Sequence, residues 1–183
     1  MRQNFTKQPY RWYAVYTKSR AEKKVYDELG KKGIERYLPL KAERRQWSDR
    51  IKLIEEPLIR GYVFVRVSNR EYFDVLVIPG ALRYVCFEER PAVIPDCQIE
   101  DLRLFMQHID SGLEVTSERI RKGSVVKVVS GPLKDVCGEI VELRGKRRIL
   151  LRFDSLGYCI HIELGAGKVE PLLIENQKKS IYI

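Results

Sequence analysis

Metal-binding and disulfide-forming residues are scarce in this chain of 183 residues, which contains two histidines and four cysteines. The cysteines are scattered without a Cys-x-x-Cys pair, at Cys86, Cys97, Cys137 and Cys159. Structural zinc sites need clustered thiolate and imidazole ligands, and secreted disulfide scaffolds are usually much denser in cysteine. We therefore expect no metal site, and free thiols in a reducing compartment.

Long apolar runs are absent too. No run reaches the length of about 18 residues that a membrane-spanning helix needs, and the N-terminus lacks the charged and then apolar pattern of a signal segment. The chain is long enough to bury a sizeable core as one medium or two small domains. We expect a soluble cytoplasmic protein without membrane contact.

Catalytic motifs are a third absence. Residues 165–168 (Gly-Ala-Gly-Lys) look like the end of a phosphate-binding loop, but Ile162 stands where its first glycine is required and Val169 replaces the Ser or Thr that binds magnesium. There is no Gly-x-Ser-x-Gly nucleophile elbow, and neighbouring acids such as Glu88 and Glu89 point to opposite faces of an extended chain. We therefore expect a protein that is not an enzyme and needs no cofactor.

Charge is plentiful and unevenly placed. The net charge is +9, and residues 1–66 hold 17 Lys/Arg against 8 Asp/Glu, residues 67–118 hold 4 against 10, and residues 119–183 hold 13 against 7. A basic segment can be an ordinary solvated surface. Here the excess at both ends predicts contact with nucleic acid, through neutralisation of phosphates and release of counterions.

The beginning of the chain has the pattern of a β-α-β unit. Residues 11–17 are aromatic and β-branched and predict a strand. Ser19 and Glu22 have the spacing of a capping box, which predicts that a helix starts at Ser19. Its apolar positions recur at helical spacing, at Ala21, Val25 and Leu29. A strand at about 35–40 follows, and the charged residues 41–56 predict a projecting hairpin.

Residues 57–67 alternate strictly and predict a strand with two different faces. Val63, Val65 and Val67 point to one side, and Tyr62, Phe64 and Arg66 point to the other. The valine face has the character of a core. The aromatic face suits either internal packing against a second layer or docking of a partner, and this stretch alone leaves both open.

The elements that follow complete a first domain. A short helix through Tyr72 and Leu76, a strand at 82–87 and a helix at 96–108 are predicted. The order β-α-β, hairpin and strand, α-β-α predicts an α+β sandwich in which helices cover a mainly antiparallel sheet. Residues 110–118 have the composition of a linker.

A second, all-β domain follows the linker. Its short strands are predicted at 124–129, 138–143, 149–153, 159–164 and 169–172. Five short strands in about 55 residues indicate a small barrel. The Arg-Gly-Lys turn at 144–146 gives one hairpin of this barrel a strongly basic tip.

Taken in order, these motifs resemble the NusG family of transcription elongation factors. The motifs are 11–16 (Arg-Trp-Tyr-Ala-Val-Tyr), 60–65 (Arg-Gly-Tyr-Val-Phe-Val), 78–80 (Ile-Pro-Gly), 122–126 (Lys-Gly-Ser-Val-Val), Gly131-Pro132 and Gly138. The resemblance implies an NGN-type RNA polymerase-binding domain at 10–110, a linker at 111–119, an SH3-like KOW domain at 120–173 and a loose tail at 174–183.

Within that family the first half is similar to the specialised antitermination paralogues of the UpxY type, which serve capsular polysaccharide operons, and more distantly to RfaH. The likeness lies in residues 37–40 (Tyr-Leu-Pro-Leu), the hairpin around 46–50 and residues 56–58 (Glu-Pro-Leu). The resemblance implies an elongation and antitermination factor that binds RNA polymerase across its cleft. Such a factor suppresses pausing and termination on specific long operons.

The resemblance assigns polymerase contacts to two groups of residues. Tyr16, Tyr62 and Phe64 match the aromatic patch that meets the clamp helices. Arg70, Glu71 and Tyr72 match the loop that faces the gate loop. Exposed aromatic side chains flanked by polar ones are also the usual anchors of protein interfaces, which agrees with this assignment.

Two basic clusters are candidates for nucleic-acid contact. The first consists of Lys18, Arg20, Lys23 and Lys24, and matches the face that specialised paralogues turn toward non-template DNA. An ordinary solvated face is the alternative for this cluster. The second consists of Arg144, Lys146, Arg147 and Arg148 at the basic hairpin tip, where contact with RNA is left open.

The partner of the barrel stays open. At the loop positions where housekeeping NusG carries phenylalanines, this chain has Leu133 and Leu156, so a ribosomal protein as partner is one alternative and not a requirement. KOW barrels also occur in ribosomal proteins, and a translation-associated RNA-binding protein is the second function class. It would bind structured RNA and not polymerase, and it gives the N-terminal domain no role.

Overall fold

The computed structural model of the protein describes residues 9–46, 50–108, 112–165 and 168–171. Its contacts divide the chain into two units, Met1–Ile94 and Pro95–Ile183. Each unit combines antiparallel sheets with few helices, so the predicted α+β class is confirmed. None of the helices in the described ranges is long and apolar enough to cross a membrane.

Unit one is built on an antiparallel sheet with two helices. Its elements are β1 (Arg11–Thr17), α1 (Glu22–Lys31), β2 (Glu35–Tyr37), β3 (Leu40–Gln46), β4 (Ile51–Pro57), β5 (Tyr62–Val67), α2 (Tyr72–Leu76), β6 (Ala81–Tyr84), β7 (Cys86–Phe87), β8 (Arg90–Pro91) and β9 (Val93–Ile94). The sheet has the order β2-β5-β1-β6, with β9 also paired to β1. The strands β3 and β4 form a separate ribbon, which confirms the predicted hairpin, although its tip at 47–49 lies outside the described residues.

The valine face of β5 is core, as predicted. Val63 and Val65 are fully buried, and Val63 lies opposite Val15 of β1. Val25 and Leu29 of α1 belong to the same apolar cluster, because helical spacing places them on one side of the helix. The sheet therefore presents its other face, which carries Tyr62, away from this helix layer.

The predicted strand at 57–67 is in fact two elements. Pro57 ends β4, and Tyr62 begins β5. Between them Gly61 has a φ of 83°, in the left-handed region that glycine occupies without strain. The chain turns at this point from the β3-β4 ribbon into the main sheet.

The capping box predicted at Ser19 is wrong. α1 begins at Glu22, with Ala21 at the N-cap and no side-chain cap hydrogen bond. The buried Glu22 carboxylate instead accepts a hydrogen bond from the Gly61 backbone N–H, at 2.7 Å from Oε1. It therefore joins the helix to the turn before β5.

Unit two consists of one long helix and a six-stranded antiparallel sheet. Its elements are α3 (Asp96–Gln107), β10 (Glu114–Thr116), β11 (Ser124–Val128), β12 (Cys137–Leu143), β13 (Lys146–Phe153), a 3-10 turn (Asp154–Leu156), β14 (Tyr158–Glu163) and β15 (Val169–Pro171). The strand order is β10-β14-β13-β12-β11-β15. The five predicted strands are present. β10 is an additional strand that lies inside the predicted linker, and the predicted tail at 174–183 lies outside the described residues.

Contacts group α3 with the second unit. Asp101 Oδ1 accepts a hydrogen bond from Cys137 N–H at 3.1 Å, and Gln98 Nε2 donates to the Arg152 carbonyl at 2.5 Å. Burial raises the pKa of Asp101 to about 6, against the opposing effect of the Cys137 N–H. The division between the units therefore falls before α3, earlier than the linker expected at 111–119.

The segment before β11 passes very close to β12 at Gly123. A Cβ at this position would clash with the Ile140 carbonyl oxygen and would lie 3.0 Å from Val141 Cγ1. The Gly123 N–H donates to Glu139 Oε2 at 3.1 Å. Glycine is required here because two backbone segments approach each other closely.

Gly123→Ala is expected to destabilise unit two by about 1–3 kcal/mol, because a backbone carbonyl cannot rotate out of the way as a side chain can. Faster hydrogen exchange of the β12 amides, measured in the full chain, reports this loss. Ser124→Ala, a change at the exposed neighbour, is the control and should stay within about 0.5 kcal/mol. Unchanged exchange in Gly123→Ala would contradict the close approach.

Candidate functional site

Tyr16 and Tyr62 form an aromatic pair on the sheet of unit one. Tyr16 on β1 lies opposite Tyr62 on β5, and their ring centroids are 5.4 Å apart. Tyr16 is 39% exposed, and Tyr62 is half-buried. Arg83 of β6 lies on the other side of Tyr16, with its guanidinium carbon 5.9 Å from the ring centroid. Two tyrosine rings and a cation on one surface are typical anchors of a protein interface.

Gly61 and Glu22 hold this pair in place. A Cβ on Gly61 would lie 3.2 Å from Tyr16 Cε2, so the glycine leaves room for the ring. The Thr17 N–H donates to the Gly61 carbonyl at 2.8 Å, and the Gly61 N–H donates to Glu22. The pair is therefore built on two paired strands and a hydrogen-bonded turn, which keeps its geometry fixed.

Phe64 is not part of the exposed surface in this structure, contrary to the prediction. It is 1% exposed, and its ring stacks on Tyr37 of β2 with the centroids 6.3 Å apart. The reason lies in the position along β5. Tyr62 is at the beginning of the strand, whereas Phe64 is in its middle, between Ala14 of β1 and Tyr37 of β2.

The three predicted gate-loop residues differ in their surroundings. Arg70 is exposed. Glu71 Oε2 accepts hydrogen bonds from both the N–H and the hydroxyl of Ser68, each at 3.1 Å. Tyr72 stacks on Tyr84 with centroids 4.1 Å apart, and burial raises the pKa of Tyr72. Glu71 therefore shapes the turn and Tyr72 packs against the core, while Arg70 offers the most exposed side chain of the three.

The first basic cluster lies at the start of α1. All four side chains are exposed, at Lys18, Arg20, Lys23 and Lys24. Lys23 Nζ lies 3.7 Å from the Glu55 carboxylate, and both side chains are at least half exposed. Such surface pairs contribute little to stability and exchange readily. The cluster is therefore accessible to an anionic ligand at a helix N-terminus, where negative charge is favoured.

The basic hairpin of unit two has an exposed tip. Arg144 and Gly145 both have positive φ, 53° and 73°, and form the turn between β12 and β13. Arg144, Lys146 and Arg147 are exposed. Lys146 Nζ pairs with Glu163 at 2.8 Å. The other two cations keep the tip positively charged.

Arg148 does not lie on this surface, contrary to the prediction. It is only 7% exposed, because strand alternation turns it to the opposite face from Arg147. Its Nη1 lies 2.8 Å from Glu114 Oε1 and 2.9 Å from His161 Nδ1. The four basic residues of the predicted cluster therefore do not make one continuous patch.

Three exposed residues of unit one were not predicted as surface residues from the sequence. Arg83 joins the tyrosine pair only through the pairing of β1 with β6, which links distant segments. Phe73 of α2 and Val77, which follows its last residue, are largely exposed, and their spacing of four residues, opposite the buried Val75, was readable in the sequence. In the part of the chain that the structure describes, no three His, Cys, Asp or Glu side chains are grouped to hold a metal ion.

The fold and this site combine an exposed aromatic pair with separate basic surfaces, an arrangement typical of proteins that bind other macromolecules. A family model described as "Transcription termination factor nusG" matches residues 10–103, which is more than half of the chain. The chain therefore belongs to the NusG family of transcription termination and antitermination factors.

Relatives match nearly the whole chain at low identity. The transcription termination/antitermination protein NusG of Staphylococcus carnosus (strain TM300) is 24% identical over 178 residues, covering 88% of this chain and 96% of that protein. NusG of Staphylococcus aureus (strain N315) is 24% identical over 174 residues, with the same coverage. A solved structure titled "Domain interaction in Thermotoga maritima NusG" is 20% identical, covers 89% of this chain and 97% of that chain, and has a TM-score of 0.47.

Proposed function

We propose that this protein is a transcription elongation and antitermination factor that binds RNA polymerase across its cleft and suppresses pausing and termination. The observation that carries the proposal is the Tyr16–Tyr62 pair beside Arg83, which offers aromatic anchors and a cation on a rigid sheet. Membership of the NusG family supports transcription as the process. The protein acts by binding, in the cytoplasm, and not by catalysis.

In this proposal the tyrosine pair meets the polymerase clamp helices, and the turn with Arg70 faces the gate loop. Glu71 and Tyr72 shape that turn from within. Phe64 contributes to the clamp contact only in a conformation that exposes it, because it is buried here. Tyr16, Tyr62 and Arg70 therefore carry the proposed contact.

The exposed cations at the start of α1 are proposed to contact non-template DNA, and the exposed tip of the second unit is proposed to contact nascent RNA. Both surfaces have an excess of positive charge, which gives affinity through phosphate neutralisation. A ribosomal protein remains a candidate partner of the KOW domain. Leu133 and Leu156, at the positions where housekeeping NusG has phenylalanine, are both buried and give that partner little surface there.

We propose a specialised factor of the UpxY or RfaH type that acts on specific long operons, such as capsular polysaccharide operons. The support is the sequence likeness around 37–40 and 56–58 and the charged β3-β4 ribbon. We also propose residues 10–110 as the polymerase-binding domain and 120–173 as the KOW domain. The family match extends to residue 103, within α3, and this proposed boundary therefore counts with the first domain a helix that its contacts group with unit two.

A translation-associated RNA-binding role is the weaker candidate. The family match begins at residue 10, just before β1, and covers every helix and strand described for unit one, and a purely ribosomal role leaves that unit without a function. Transcription uses both units.

The test is transcription by purified RNA polymerase across a pause site, on templates with and without the leader of a candidate operon. The full chain is expected to shorten the pause only with the leader, and the double variant Tyr16→Ala/Tyr62→Ala is expected to lose the effect. Equal acceleration on both templates would contradict the specialised role. No acceleration on any matching template would overturn the proposed function.

A further inference from the structure

The strand β10 (Glu114–Thr116) is a short strap at the edge of the unit-two sheet. It pairs with β14 through Glu114, Val115 and Thr116, opposite His161, Ile160 and Cys159. It ends the strand order, so its other edge has no strand beside it among the described residues. A three-residue edge strand makes few ladder hydrogen bonds, and such elements open at low cost in free energy.

Glu114 in this strap neutralises a buried arginine. Arg148 Nη1 donates to Glu114 Oε1 at 2.8 Å and meets His161 Nδ1 at 2.9 Å. Burial and the neighbouring Arg148 lower the pKa of His161, so the ring is neutral and accepts the hydrogen bond. The positive charge of Arg148 is therefore balanced by a residue of the strap and not by its own strand neighbours.

The guanidinium of Arg148 is incompletely satisfied. Its Nε is buried and has no hydrogen-bond partner in the described structure. A carboxylate at Nη1 leaves this donor without an acceptor. A larger anion with more oxygens could occupy Nη and Nε together, as phosphate does in bidentate contacts with arginine.

A second arginine faces the same carboxylate. Arg144 Nη1 lies 3.9 Å from Glu114 Oε2, so Glu114 stands between an exposed and a buried guanidinium. The hydrogen bond from Arg148 lowers the pKa of Glu114, and the carboxylate is therefore ionised at neutral pH. Arg147 and Lys146 beside them are exposed and add to the attraction for anions.

We propose that β10 is a displaceable strap, and that a backbone phosphate of a single-stranded nucleic acid takes the place of the Glu114 carboxylate between Arg144 and Arg148. Binding at the tip then releases β10 from β14, and the strap residues join the connection between α3 and β11. Release without a substitute anion leaves Arg148 buried and uncompensated, so the strap stays closed until the ligand arrives. This inference rests on the proposed contact of the second unit with nucleic acid.

Hydrogen exchange in the unmodified full chain tests the release directly. Peptides that contain Glu114–Thr116 are followed at constant salt, alone and with saturating oligouridine, oligothymidine or tripolyphosphate. Faster exchange of the strap in the presence of a probe is the expected result. Response to oligouridine alone identifies RNA as the source of the phosphate, and response to all three probes identifies phosphate chemistry without preference for a chain.

Variants test whether Glu114 competes with the phosphate. Glu114→Gln is expected to raise the affinity for the responding probe about threefold or more, because a closed state that excludes the ligand is removed. The exposed Glu118→Gln is the matched control, with the same change of charge nearby. Arg148→Gln is expected to abolish the gain when combined with Glu114→Gln.

Equal gains from Glu114→Gln and Glu118→Gln would show a net-charge effect and overturn the strap. The strap is also overturned if a probe binds the unmodified chain but hydrogen exchange of Glu114–Thr116 does not change. That measurement does not depend on how any variant folds. Polymerase binding by the same preparation is measured in parallel. If no probe makes the strap exchange faster but the chain still binds polymerase, this inference alone is refuted. If the chain does not bind polymerase, the proposed function is refuted.

Discussion

Tyr62→Ala is expected to weaken binding of the full chain to core RNA polymerase about 30-fold, since truncating an aromatic anchor costs about 2 kcal/mol or more and about 1.4 kcal/mol is a factor of ten. The effect is large here because two losses combine. The alanine removes one ring, and it also leaves Tyr16 without the ring that lies 5.4 Å from it. Titration of immobilised core polymerase with the purified chain gives the affinity.

Two variants serve as controls for this result. Tyr62→Phe keeps the ring and should bind within about threefold of the unmodified chain, because packing area and not the hydroxyl supplies most of such an anchor. Phe87→Ala removes an aromatic side chain that is 61% exposed but lies on the separate β7-β8 ribbon. If Phe87→Ala loses as much affinity as Tyr62→Ala, binding reflects general hydrophobic adhesion and the role assigned to the tyrosine pair fails.

Periodicity in the sequence predicted the elements whose character is local. Strict alternation was sufficient for the valine face of β5, and helical spacing was sufficient for Val25 and Leu29, both fully buried in α1. These features were predictable because each depends on one element and on which of its sides is apolar.

Features that depend on pairing between distant segments were not predictable. Tyr62 and Phe64 share one face of β5, yet only Tyr62 reaches the surface, because β5 has a paired strand on both sides at Phe64, β1 and β2, but only β1 beside it at Tyr62. The capping box failed for a similar reason. The Glu22 carboxylate has a partner 39 positions away in the sequence, the Gly61 N–H, and that tertiary hydrogen bond replaced the local one.

The charges of the second unit show the same limit. In sequence, Glu139 and Arg152 look like ordinary polar residues of short strands. In the structure Glu139 is buried and Arg152 is half-buried with its side chain only 9% exposed, and the Arg152 guanidinium donates from Nε and Nη2 to the two Glu139 oxygens, each at 2.8 Å. Gly123 adds its N–H to the same carboxylate. Three segments of the chain therefore meet at one carboxylate: β12, β13 and the segment before β11. The sequence pattern of any one segment does not reveal this.

Glu139→Gln is expected to destabilise unit two by about 3–5 kcal/mol, because it leaves Arg152, whose side chain is only 9% exposed, without its anion. Burial alone would raise the pKa of Glu139, but the hydrogen bonds from Arg152 and Gly123 outweigh burial and hold the pKa below its ordinary value. A lowered pKa means that the pair stabilises the fold above the ordinary pKa of glutamate and loses this effect as pH falls through the lowered value. The difference in stability between the unmodified chain and Glu139→Gln should therefore be largest near neutral pH and become smaller in acid.

Hydrogen exchange of the β12 and β13 amides measures this loss in the full chain, with the amides of β1 and β5 as an internal reference. Glu142→Gln, an exposed change on the same strand, should alter stability by less than about 0.5 kcal/mol. Replacing both partners, in Glu139→Met/Arg152→Met, should destabilise less than Glu139→Gln alone, because no unpaired charge remains buried. A double variant that is as unstable as the single one would mean that the Gly123 hydrogen bond, and not the ion pair, makes Glu139 essential to the sheet.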